Sequence, residues 1–130
     1  MDCRIDLTAA SDRPYWIKWA AFVQCLDQED FACRESTVIR NCYLSDWFHD
    51  SDGERHFNLP AFYLRKGRAL FINGRHRAAL LSRHLDVLPM ALTQADQESQ
   101  NVLNGIVLRA IELNEIITLP DLPVEDAIVP

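Results

Sequence analysis

Five consecutive residues, Asn73-Gly74-Arg75-His76-Arg77, are of the types that bind and process phosphate. Arginine presents a planar fork of donors that clamps phosphate oxygens and stabilises charge developing in phosphoryl transfer. Histidine titrates near neutral pH and serves as general acid or base. Glycine lets the backbone turn sharply and approach a ligand closely. Residues 69–72 read as a strand, Asn73-Gly74 as a tight turn, and a helix begins at about Arg75. The first turn of a helix carries unpaired N–H groups and a partial positive charge, so it favours acids. Here two arginines and a histidine crowd that end. An anion resolves the conflict, most simply a phosphate held by the N–H groups of Arg75 and His76 and by the arginines. The alternative is that the arginines are solvated or pair with acids elsewhere, and that His76 is a hydrogen-bonded structural residue.

The flanking elements follow from apolar spacing and turn residues. Pro60 leads a strand, Ala61 to Leu64. Arg65-Lys66-Gly67-Arg68 is a tight turn, and Ala69 to Ile72 returns as the hairpin partner. After the Asn-Gly turn the helix places Ala78, Leu81 and Leu85 on one face, with Arg83 and His84 pointing away. A strand runs from Val87 to Leu92. Upstream, Cys3 to Leu7 is a short strand and Asp12-Arg13-Pro14 a turn. Tyr15 to Trp19 is a strand and Ala20 to Leu26 a short helix. Gln28 to Cys33 is a polar loop. Glu35 to Phe48 is ambiguous between a strand through Thr37-Val38-Ile39 and a helix capped by Ser45. His49 to Glu54 reads as a turn or exposed loop. Residues 94–114 read as a second helix, with Leu103, Ile106, Val107 and Ala110 as its stripe and Gly105 weakening its middle. Ile116 to Pro130 reads as extended.

Composition sets the class. A chain of 130 residues with 48% hydrophobic content has apolar material for one core. There is no apolar run long enough for a membrane helix and no signal-peptide pattern at the N-terminus, so a cytoplasmic protein without membrane insertion is expected. Cys3, Cys25, Cys33 and Cys42 show neither a Cys-x-x-Cys pair nor zinc-finger spacing, and free thiols are expected. The net charge of −6 argues against broad nonspecific nucleic-acid binding. Charge is unevenly placed: the segment 61–85 holds six bases and no acid, while 94–130 holds seven acids and one base. The protein has a basic centre and an acidic end.

Other chemistry is weaker. No P-loop, dinucleotide loop, Gly-x-Ser-x-Gly elbow or His-Glu-x-x-His is present. His49 to Glu54 contains Asp-x-Asp-Gly, but the twelfth position counted from Asp46 or Asp50 is Phe57 or Ala61, where a calcium loop needs glutamate. His49, Asp50, Asp52 and His56 offer donors for a divalent metal of the kind a nuclease needs, yet read as a solvated loop, and no metal ligand is assigned. Arg65, Lys66 and Arg68 at a hairpin tip suit DNA phosphates or solubility alike. Trp16, Trp19 and Trp47 are expected in the core.

Taken together, Leu59-Pro60, the turn Arg65-Lys66-Gly67-Arg68, the run Leu70 to Arg77 and Val87-Leu88-Pro89-Met90 resemble the ParB/sulfiredoxin superfamily. Within it the likeness is closest to the plasmid fertility-inhibition factors of the Osa kind. The resemblance implies an α+β fold with a small mixed sheet and packed helices. It divides the chain into a ParB/sulfiredoxin-like domain over 1–93 and an acidic C-terminal helix and extended tail over 94–130, packed on the same domain. It implies a nucleotide phosphate, of ATP or another nucleotide, bound by Asn73, Gly74, Arg75 and His76, with Mg2+ as an accompanying ion. Arg75, His76 and Arg77 would then be catalytic in an ATPase or DNase that interferes with conjugative DNA transfer. DNA or a protein of the conjugation and secretion apparatus is the implied partner. In sulfiredoxins the residue between Gly and His is the catalytic cysteine, so Arg75 removes sulfinic acid reduction. The ParB box carries an acid and two arginines, from which His76 departs. The competing class is a non-catalytic inhibitor or adaptor that binds a protein partner through the acidic tail and exposed hydrophobics. A carboxylate close to Arg75–Arg77 in space, able to hold a metal or activate water, would separate the two.

Overall fold

Alternating apolar and polar residues build two hairpins in the middle of the chain. Strands β3 (Phe48–Ser51) and β4 (Glu54–Asn58) are joined by Asp52-Gly53, and β5 (Ala61–Arg65) and β6 (Arg68–Asn73) by Lys66-Gly67. Both residues of each turn have positive φ, 54° and 78° in the first and 53° and 77° in the second. That pattern marks type I′ turns, whose twist matches that of the strands. The computed structural model describes residues 1–27 and 47–121. The polar loop from 28, the ambiguous stretch up to 46, Cys33, Cys42 and the tail from 122 lie outside the described residues.

The remaining elements are β1 (Asp2–Asp6), β2 (Arg13–Lys18), α1 (Trp19–Cys25), α2 (Arg75–Leu81), β7 (Val87–Ala95), α3 (Gln100–Ile106), β8 (Val107–Ala110) and β9 (Ile117–Thr118). The fold is α+β with two mixed sheets and three helices among the described residues. One sheet has the order β3-β4-β1-β9, with β1 and β4 parallel and the other pairs antiparallel. The other has the order β6-β5-β7-β2-β8, with β5 and β7 parallel.

Most local expectations hold, including the α1 helix, the hairpin at Lys66-Gly67 and the strand–turn–helix at Asn73–Arg77. Three are corrected. The loop expected over His49 to Glu54 is a hairpin in which only Asp52-Gly53 turns, because a strand with one solvated face can be polar at alternate positions. The turn expected at Asp12-Arg13-Pro14 precedes the strand instead, closed by the Asp12 N–H on the Ala9 carbonyl, and Arg13 and Pro14 already belong to β2. The helix expected over 94–114 survives only as α3. β7 runs to Ala95, a 3-10 turn spans Gln97–Ser99, and after Ile106 the chain becomes β8. The β2 edge captures that segment, pairing Ile17 with Val107 and Tyr15 with Ala110. Tertiary pairing overrides a helical spacing that Gly105 had already weakened.

A single apolar core joins the sheets to the helices. It contains Ile5, Phe57 and Ile117 from the first sheet and Phe62, Leu64, Leu88 and Met90 from the second. Phe22 of α1, Leu80 and Leu81 of α2 and Leu103 of α3 fill it from the helices. Phe22 meets Phe62 and Phe71 edge-on, at centroid distances of 5.1 and 5.6 Å. Trp47 is buried, whereas Trp16 and Trp19 are half-buried at the core margin. No helix among the described residues is long and apolar enough to cross a membrane.

Glycine positions test this architecture. Gly74 has φ 82°, and a Cβ there would lie 2.6 Å from Pro60 Cα. Gly53 has φ 78° with open space around it, and Gly105 sits in α3 with nothing within 4 Å. Chemical denaturation is expected to rank the alanine variants accordingly. Gly105→Ala gains about 0.5–1 kcal/mol, Gly53→Ala loses about 1 kcal/mol, and Gly74→Ala loses at least about 2 kcal/mol.

Candidate functional site

The Asn73–Arg77 run is built as a locked turn. β6 ends at Asn73, and Gly74 takes the left-handed conformation that starts α2. The crowding by Pro60 makes glycine obligatory there. The Asn73 amide spans the turn: its Nδ2 donates to Thr8 Oγ1 at 3.0 Å, and its Oδ1 accepts from the Arg77 guanidinium at 3.0 Å. The same guanidinium reaches the Leu59 carbonyl at 3.5 Å. Arg77 therefore folds back beneath Gly74 and braces the turn. Arg75 and His76 are half-buried on that first turn, which holds no acid and no side-chain cap.

His76 reports the local field. Burial lowers its pKa from the ordinary 6.5, and the charges of Arg75 and Arg77 lower it further. At neutral pH it is the uncharged imidazole, able to accept a proton or a hydrogen bond. The turn thus gathers a neutral base and two guanidinium groups around a sharply bent backbone.

A second cluster lies on the outer face of the β3-β4-β1 sheet. His49 and His56 stand directly opposite each other on β3 and β4. Their rings stack at 4.9 Å with an interplanar angle of 17°. In the parallel pairing His56 lies beside Arg4, and Asp6 is two residues further along β1, on the same face. The Asp6 carboxylate contacts both rings, His56 Nδ1 at 2.9 Å and His49 Nε2 through its other oxygen. Burial alone would raise the Asp6 pKa, but hydrogen bonds from His49 and His56 outweigh it and hold the carboxyl below the usual range. Arg4 on the same face is occupied by Glu54, at 2.9 and 3.2 Å.

The two clusters meet through one backbone residue. The Leu59 N–H donates to the Asp6 carbonyl at 3.0 Å, while the Leu59 carbonyl accepts from Arg77.

Comparison with protein-family models, curated proteins and solved structures returns no match to this chain.

The structure brings Asn73, Gly74, Arg75, His76 and Arg77 to one turn. It also joins His49 and His56 with Asp6 rather than with Asp50 and Asp52. Asp50 instead pairs with Arg55 at 3.4 Å. Asp6 escaped sequence reasoning because its distance along the chain from His56 carries no signal. The hairpin tip at Arg65–Arg68 is anchored: the Lys66 N–H donates to Asp96 Oδ2 at 2.8 Å and the Gly67 N–H to Ser99 Oγ at 2.9 Å. Cys3 and Cys25 are free thiols, and burial pushes both pKa values up, which makes them poor nucleophiles.

Two outcomes follow. Arg77→Met is expected to cost about 1–2 kcal/mol in denaturant unfolding, because Asn73 Oδ1 and the Leu59 carbonyl lose a charged donor. Asp6 has a lowered folded pKa, so its ionised form favours the folded state. That contribution is fully present above the unfolded value of 3.8 and is lost as pH falls through the folded value. Asp6→Asn should therefore flatten the acid limb of stability measured against pH, while leaving its shape above pH about 6 much less changed.

Proposed function

We propose that the Asn73–Arg77 turn binds a nucleotide phosphate, of ATP or another nucleotide, in a protein of ParB/sulfiredoxin type that interferes with conjugative DNA transfer. The observation that carries this reading is the gathering of Arg75, His76 and Arg77 on one acid-free helical turn behind an obligatory glycine. A concentrated positive field on a bent backbone is met most economically by an anion with several oxygens. The lowered pKa of His76 supports the same reading, since its protonation is opposed in part by the neighbouring guanidinium groups.

The roles divide by geometry. Gly74 makes the sharp left-handed turn against Pro60 that starts α2. Arg75 clamps the phosphate oxygens, and His76, neutral and half-buried, takes or gives a proton. Arg77 holds the turn in shape through Asn73 and Leu59. For ATP hydrolysis or DNA cleavage the reading needs a group to orient water or a metal. Asp6 is tied to this turn through its backbone carbonyl, which accepts from the Leu59 N–H, while its carboxylate is held by His49 and His56.

A second reading, a non-catalytic adaptor, draws on a different observation. Leu108 on the edge strand β8 is 58% exposed, and Leu113 and Ile116 in the connection that follows are 66% and 54% exposed. Exposed apolar side chains of this kind suit a protein partner.

Titration of ATP and CTP with and without magnesium separates the two. Wild type is expected to bind one of them at millimolar concentration or better, and Arg75→Ala to weaken binding at least about tenfold. Circular dichroism confirms that the variant is folded. An NMR titration of His76 gives a second readout. A bound phosphate brings negative charge to the imidazole, so its pKa should rise toward or above 6.5. No binding by folded wild type sinks the nucleotide reading and leaves the adaptor.

A further inference from the structure

We propose that Asp6, His49 and His56 form a binding site for a first-row divalent transition metal, zinc above all. The donor atoms are one carboxylate oxygen of Asp6, Nε2 of His49 and Nδ1 of His56, all within 4.8 Å of one another. They come from three adjacent strands, β1, β3 and β4, whose hydrogen-bond registers fix the backbones. His49 and His56 are a directly opposed cross-strand pair, which places their rings side by side. Donor atoms about 2 Å from a shared tetrahedral zinc lie roughly 3.3 Å apart, a spacing inside the span of these three.

Donor chemistry selects the ion. Two imidazole nitrogens and one carboxylate oxygen suit zinc, iron(II), cobalt(II) or nickel, whereas magnesium and calcium take oxygen donors. The atoms that now share hydrogen bonds become lone-pair donors when each imidazole carries its proton on the far nitrogen. The Asp6 charge is available to the cluster because Arg4, on the same face, is held by Glu54. His49 is exposed and His56 and Asp6 are half-buried, so an ion bound here has coordination positions open to water. A three-ligand site with open positions binds and activates a water molecule or takes a substrate oxygen.

This site does not depend on the nucleotide reading, and it is tested with metal alone. Full-length protein is stripped with chelator under reducing conditions. It is then titrated with Zn2+ by calorimetry and with Co2+ by visible absorption. We expect one ion per chain and a loss of at least about tenfold in affinity in Asp6→Asn, His49→Gln and His56→Gln. Each variant is checked for folding by circular dichroism, and exposed His49 supplies a substitution that leaves the core untouched. The competing donors are the thiols. Nitrogen and oxygen ligation gives Co2+ spectra without a sulfur-to-metal charge-transfer band, and a variant with all four cysteines changed to serine should bind as wild type does. The proposal is overturned by no binding at submillimolar zinc, by binding that the His49 and His56 substitutions leave unchanged, or by a thiolate charge-transfer band.

Discussion

The dipeptide Leu59-Pro60 is the joint on which the structure turns. It carries the chain from β4 in one sheet to β5 in the other, and nearly every backbone group in it is committed. The Leu59 N–H bonds the Asp6 carbonyl, the Leu59 carbonyl receives Arg77, and the Pro60 carbonyl receives the Ala91 N–H at 2.8 Å. Both residues are buried, with Leu59 in the shared core. Proline suits the position because it fixes φ and leaves no N–H to be paired in this buried joint. Its Cα stands where a side chain on residue 74 would go, so the joint also dictates the glycine that starts α2.

From this joint the two candidate sites follow as neighbours. One lies at the end of β6, where the guanidinium of Arg77 is drawn inward and Arg75 and His76 remain on the helical turn. The other lies on the polar face of the smaller sheet, where Asp6 sits between two histidines. The two clusters are electrostatically opposite. The first concentrates positive charge and keeps its imidazole neutral. The second surrounds a carboxylate with imidazole nitrogens and keeps it ionised.

The bracing role of Arg77 changes how the basic run is understood. Two arginines on one turn suggest two equivalent clamps, but their positions on the helix differ by two residues and therefore by about half a turn of direction. Arg77 points back toward Asn73 and Leu59 and does structural duty. The hairpin tip at Arg65–Arg68 is similar, since its backbone is tethered to Asp96 and Ser99 while its charged side chains lie outward.

What was legible in the sequence was local. The turn at Asn73-Gly74, the hairpin at Lys66-Gly67, the short α1 helix and the strand after Val87 are written in turn residues and apolar spacing, which act over a few neighbours. The class, α+β, was implied by the family resemblance, and the mixture of strands and helices agrees with it. The basic character of Asn73–Arg77 was equally plain, because it needs no knowledge of what lies across the fold. Strand pairing was not legible. Val107 to Ala110 has helical spacing and becomes a strand only because the β2 edge is there to receive it. His49 and His56 look like loop residues until the Asp52-Gly53 turn sets them opposite each other. Asp6 meets them only through the parallel alignment of β1 with β4, a contact spanning fifty residues, from His56 back to Asp6. Local signals fix which residues turn, coil or extend. Which strands become neighbours is decided by the burial of Ile5, Phe57 and Phe62 in one core, and that choice brings the carboxylate to its histidines.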